Sequence, residues 1–131
     1  MRFLVNLCLI LCPAFAIAQE PMSGAEFEAL TEGKIFHFRQ NGNVYGGESY
    51  LTNRRVRWSF FDGTCLFGRW FERDAYICFD YGADHPLQCW TFTQTDQGFQ
   101  AEFYPKSEGD GLYDAYRVNE PLDCTGPKVG V

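Results

Sequence analysis

The sequence predicts a mainly β protein: an antiparallel up-and-down meander of about eight strands, a small barrel or curved sheet, with one short N-terminal helix. Three observations carry this expectation. From Lys34 onward, short aromatic and β-branched runs are cut by Gly, Asn, Asp and Pro. The turn centres fall about ten to twelve residues apart, the spacing of hairpins. Ahead of them, one stretch carries a helix-start signature.

The first element is a leader. MRFLVNLCLILCPAFAIAQ has one basic residue, an apolar run from Phe3 to about Leu11, and Ala16-Ile17-Ala18 ahead of Gln19. The run is too short to span a bilayer and is followed by an A-x-A cleavage pattern, so residues 1–18 read as a signal peptide. Lipid attachment at Cys12 is the alternative, disfavoured by the bulky Leu11 where such signals have a small residue. The expected mature chain, residues 19–131, is a single disulfide-stapled β domain in the periplasm or secreted, with no stable membrane insertion after cleavage. Losing Arg2 leaves ten Lys and Arg against seventeen Asp and Glu, a net charge of −7. That balance opposes a nucleic-acid partner, which would need clustered basic residues.

Ser23-Gly24-Ala25-Glu26 matches a capping box, with Met22 and Phe27 placed for a hydrophobic staple. A helix is expected from Gly24 to about Thr31, capped by Gly33. The strands follow as KIFHFRQ, VYGGESYL, RVRWSF, LFGRWFE, YICFDY, LQCWTFTQ, FQAEFY and LYDAYRV. The tail NEPLDCTGPKVGV, with two prolines and two glycines, reads as irregular.

Residues facing across an antiparallel hairpin have a constant sum of positions and share a face. A turn at Arg73-Asp74 sets Trp70 opposite Ile77 and Gly68 opposite Phe79; a turn at Ala83-Asp84 sets Ile77 opposite Trp90. Ile77, Phe79, Tyr81, Trp90 and Phe92 then form an apolar face, with Arg69, Cys78, Asp80, Cys89 and Thr91 behind it. A loop centred on Gly63 would put Trp58 over Gly68, which leaves room for the indole.

The same arithmetic sets Cys78 against Cys89, close enough for a disulfide in a non-hydrogen-bonded pair. By exclusion Cys65 would bridge Cys124; two other pairings stay open, Cys65 with Cys78 the more plausible. ICFDYGADHPLQCW also gathers Asp80, Asp84 and His85 between its cysteines. Its cysteine spacing matches no zinc signature, and a catalytic thiol would be oxidised after export. No metal, cofactor or catalytic residue is therefore expected. The surface binding candidates are Arg55, Arg57 and Arg69, with Asp84 and His85 at the tip of the stapled hairpin. The bland reading of the arginines is a solvent-side charge row with Glu48. His37 should lie opposite the face of Phe36 and Phe38. No dinucleotide fingerprint, P-loop, G-x-S-x-G or H-E-x-x-H motif occurs.

WSFFDGTCLFGRWFERDAYICFDYG followed by QCW resembles a family of small exported domains of Gram-negative bacteria, with the pattern C-x-x-G-x-W, I-C-F and C-W in this order. The matching positions are Gly33, Gly42, Gly46, Trp58, Cys65, Gly68, Trp70, Cys78, Cys89 and Trp90. The resemblance covers most of the mature chain and implies a domain of unknown function. Some similar chains carry a dihydrodipicolinate reductase label, which would imply an NAD(P)H-dependent enzyme. The leader, the missing nucleotide loop and the lack of alternating strands and helices argue against it. Ser23-Gly24-Ala25-Glu26-Phe27 is superficially similar to the S-G-x-K-Y loop of periplasmic lysozyme inhibitors, with Glu26 where that loop has lysine. The leading expectation is a non-enzymatic domain that binds a periplasmic partner or small ligand through the open end or surface of its sheet, with a reductase-type enzyme or a periplasmic lysozyme-inhibitor-like protein as the alternatives.

Overall fold

The computed structural model describes residues 12–14, 16–106 and 111–126. Most of the expected leader, part of the loop between the last two strands and the extreme C-terminus lie outside them.

Helix α1 spans Gly24–Thr31, as the capping box predicts. Ser23 Oγ accepts from the Glu26 amide, and the Glu26 carboxylate accepts from the Ser23 amide. Two orphan donors of the first turn are satisfied in this way. The Gly24 amide donates to the carboxylate of Glu72, a second negative charge at the positive end of the helix. After Glu32, Gly33 takes a positive φ of 75°, the left-handed stop that glycine adopts without penalty.

Eight strands follow: β1 Ile35–Gln40, β2 Asn43–Tyr50, β3 Arg55–Ser59, β4 Cys65–Arg73, β5 Tyr76–Asp80, β6 Gln88–Gln94, β7 Gly98–Tyr104 and β8 Tyr113–Val118. Each boundary lies within one residue of the sequence-based run. Every neighbouring pair is antiparallel, and β1 pairs with β8, so the meander closes into a barrel without a free sheet edge. The first hairpin turns at Asn41-Gly42, whose φ values of 50° and 78° make the doubly left-handed two-residue turn that this dipeptide favours.

The hairpins place the loops alternately at the two ends. At one end α1 lies across the barrel and inserts Phe27, which is fully buried. Its ring stacks on Phe92 at 4.5 Å and meets Tyr50, Trp70, Phe79 and Phe99 edge-on. Burying a phenyl ring to this degree contributes about 1.5–3 kcal/mol from apolar area alone. The outer side of the helix is tied down by an Arg54–Glu28 ion pair at 2.9 Å, and the Arg54 guanidinium also sits 4.4 Å from the Trp70 ring centroid. This end is closed.

Both disulfides form with the expected partners, Cys78–Cys89 across β5 and β6 and Cys65–Cys124 from β4 to the tail. The tail is irregular, as expected, yet Leu122 is buried against the outer side of the barrel near Gly47. The Gly126 amide donates to the Gly63 carbonyl.

Three register details differ from the sequence reading. In the β5–β6 hairpin the pairing is as expected, Ile77 with Trp90 and Cys78 with Cys89. In the β4–β5 and β3–β4 pairs it slides by two residues: Trp70 faces Phe79 rather than Ile77, and Gly68 faces Val56 rather than Trp58. A slide of two keeps every side chain on its face but changes its partner. The glycine beneath the Trp58 indole is therefore Gly46, where a Cβ would meet Trp58 Cη2 at 2.8 Å and the Ser59 carbonyl at 2.7 Å. A Cβ on Gly68 would instead crowd the Asp80 carbonyl and the Tyr81 ring.

The third difference reverses a face. Phe38 pairs with Gly46 but Arg39 pairs with Val44, so Tyr45 is an extra residue in β2. Beyond this bulge Glu48 pairs with Phe36 and Trp58 and points into the barrel, 1 % exposed. The expected solvent-side charge row with Glu48 does not form.

Candidate functional site

At the end opposite α1, the barrel opens into a cavity of about 330 Å³. The strand alternation builds its wall, since Phe38, Trp58, Trp90, Phe92, Phe103 and Tyr113 all project inward from five different strands. The rings form a continuous wreath. Trp58 is 5.5 Å from Phe38, 5.5 Å from Phe60 and 5.8 Å from Tyr45, and Tyr113 lies 5.5 Å from Tyr45 and 5.6 Å from Trp90. Tyr45 reaches this wreath because the bulge re-aims it.

Farther in, the lining turns polar. Glu48 Oε1 accepts a 2.8 Å hydrogen bond from the Tyr81 hydroxyl, while Glu48 Oε2 and the Tyr50 hydroxyl are buried without a hydrogen-bond partner. Burial pushes the Glu48 carboxyl well above the usual carboxylate range, and the bond from Tyr81 offsets only part of this. Burial, and next the neighbouring Glu48, also pushes the Tyr50 and Tyr81 hydroxyls up. A carboxyl with one oxygen unsatisfied in an aromatic cavity is an unusual arrangement, because orphaned buried polar groups are costly and few. Among the described residues no Lys or Arg lines the cavity; His85, Gln88 and the phenols of Tyr45 and Tyr113 add further polar groups to its lining.

The sequence-based candidates fall into two places. Arg55, Arg57 and Arg69 share the outer wall, where Arg55 faces Arg69 directly and Arg57 faces Ser49 and Phe67. Arg57 Nε is buried without a hydrogen-bond partner there. His85 lines the cavity at its rim, whereas Asp84 is exposed at the hairpin tip. Asp80 accepts from the Gly82 amide and so shapes that turn. His37 lies opposite the face of Phe36 and Phe38, 4.9 Å from Phe61; desolvation lowers its pKa, with Glu120 pulling the other way. Ser23 to Phe27, which resembled an inhibitor loop, forms the cap and first turn of α1.

Sequence reasoning missed Glu48, Tyr50 and Tyr45 as cavity residues. One signal was present: Glu48 and Tyr50 are two apart, so an inward Tyr50 carries Glu48 with it. No group of three or more His, Cys, Asp or Glu suited to a metal occurs among the described residues. No protein-family model matches the chain, and neither does any curated protein or solved structure.

Proposed function

We propose that this protein is an exported, non-enzymatic binding barrel that takes a small ligand into the open end of the sheet. The observation that carries the reading is the aromatic cavity of about 330 Å³ at one end of a barrel whose other end is plugged by α1. Small-molecule sites are concave, mostly apolar and furnished with a few convergent polar groups, and barrel mouths are a recurrent place for them. This cavity is at the small end of the usual size range, which suits a compact metabolite. The two disulfides fit an oxidising compartment outside the cytoplasm, and the leader directs the chain to the periplasm or beyond it.

The test is a titration of the oxidised protein with N-phenyl-1-naphthylamine, a neutral apolar fluorophore, followed by its emission and by quenching of tryptophan. Saturable binding at one site, weakened by Trp58→Ala, is expected. Wild-type protein that fails to bind, or binding indifferent to Trp58→Ala and Trp90→Ala, contradicts the reading. A parallel titration with NADPH addresses the reductase alternative, for which tight saturable binding would be required.

A further inference from the structure

We propose that the cavity selects an organic ammonium ion, a compact apolar body carrying a protonated amine, whose headgroup is received by Glu48. This rests on the reading of the cavity as a ligand site. The argument begins with the unmatched hydrogen-bonding capacity of the inner wall. Glu48 Oε1 is occupied by the Tyr81 hydroxyl, but Oε2 has no donor, and the nearby Tyr50 hydroxyl has no partner either. A carboxylate only accepts, and an ammonium only donates. A primary ammonium brings three donors, enough to satisfy Glu48 Oε2 and the Tyr50 oxygen together.

Charge points the same way. Among the described residues Glu48 is the one acidic side chain lining the cavity, and no Lys or Arg of that lining pairs with it. A buried carboxylate without a cation is costly, so an incoming ammonium supplies what the fold withholds. A ligand carboxylate or phosphate would meet repulsion and find no fork of donors. The wall contributes as well: the faces of Trp58, Tyr45, Tyr113 and Trp90 carry negative quadrupole charge, which attracts a desolvated cation. A neutral alcohol of the same shape would gain the apolar contacts but neither electrostatic contribution.

The experiment compares three matched probes on the full chain, expressed with its leader and purified oxidised: phenethylammonium, phenethyl alcohol and phenylacetate, each measured by displacement of N-phenyl-1-naphthylamine and by calorimetry. Expected is an order of ammonium, alcohol, carboxylate, with the ammonium about tenfold or more tighter than the alcohol. Glu48→Gln, which keeps the acceptor for Tyr81, should bring that ratio close to one, as read from both probes measured on the same variant. Equal affinity of ammonium and alcohol in the wild type overturns the inference without needing any variant, and so does a preference that survives Glu48→Gln. Fluorophore binding without displacement by the ammonium overturns the ammonium assignment alone. Failure of the fluorophore and all three probes removes the ligand-binding reading itself.

Discussion

The Tyr81 hydroxyl donates a 2.8 Å hydrogen bond to Glu48 Oε1, joining the residue that follows β5 to β2 across the inside of the barrel. The bond satisfies one carboxyl oxygen and leaves the other, Oε2, as an open acceptor beside an aromatic cavity. Stability and binding therefore make opposite demands on Glu48. The fold favours a neutral carboxyl, and a cationic ligand favours a charged one.

The first consequence is a pH dependence. Glu48 in the folded protein titrates well above its ordinary value, chiefly because it is buried. Between that ordinary value, about 4.3, and the folded value, the native state holds a proton that the unfolded chain releases. The contribution is complete below the lower bound and is lost as pH rises through the folded pKa, at up to about 1.4 kcal/mol per pH unit. Glu48→Gln should remove this decline, as read from urea midpoints across pH. His37 is common to both proteins, and burial with the neighbouring Glu48 pushes the Tyr50 and Tyr81 hydroxyls up from the ordinary tyrosine range. If the difference between wild type and variant does not grow with pH, Glu48 is not held neutral by the fold.

Gly46 is the second test. Its hydrogen stands where a methyl group would press on the Trp58 indole and the Ser59 carbonyl. Gly46→Ala should cost about 1–3 kcal/mol and weaken ligand binding by displacing Trp58. The smaller ring of Trp58→Phe should restore part of that stability. It should do nothing for Gly68→Ala, whose clash is with the Asp80 carbonyl and Tyr81. Chemical denaturation of the single and double variants separates the two, and rescue of Gly68→Ala by Trp58→Phe would contradict the register.

The two disulfides should differ in what they contribute. Cys65–Cys124 closes 59 residues and Cys78–Cys89 closes 11. On chain entropy alone, replacing each pair by alanine should cost about 4 and about 3 kcal/mol respectively. Loss of the longer bridge also frees the tail that holds Leu122 on the outer wall. Urea midpoints of the two double variants give the ranking. Thiol titration of the unreduced, denatured protein should find neither bridge reactive, and a thiol released from Cys65, Cys78, Cys89 or Cys124 would contradict the pairing.

The sequence by itself determined the local elements. The capping box started α1, the Asn41-Gly42 dipeptide turned the first hairpin, and alternating aromatic runs set eight strands to within one residue. These signals are legible because each depends on neighbours close along the chain. The facing of Cys78 and Cys89 was legible for the same reason, with their hairpin turn close at hand. The tertiary structure decided the rest. Closure needed β1 to find β8 across the whole domain, and the partners of Trp58 and Trp70 depended on how each hairpin slid against its neighbours. The side taken by Glu48 turned on the register of β2 against both neighbours: Tyr45 is an extra residue against β1, and across β3 Glu48 faces Trp58 while Arg57 faces Ser49. Because side chains alternate with a period of two, that one-residue difference places the carboxylate on the inner wall of the cavity instead of the expected solvent side.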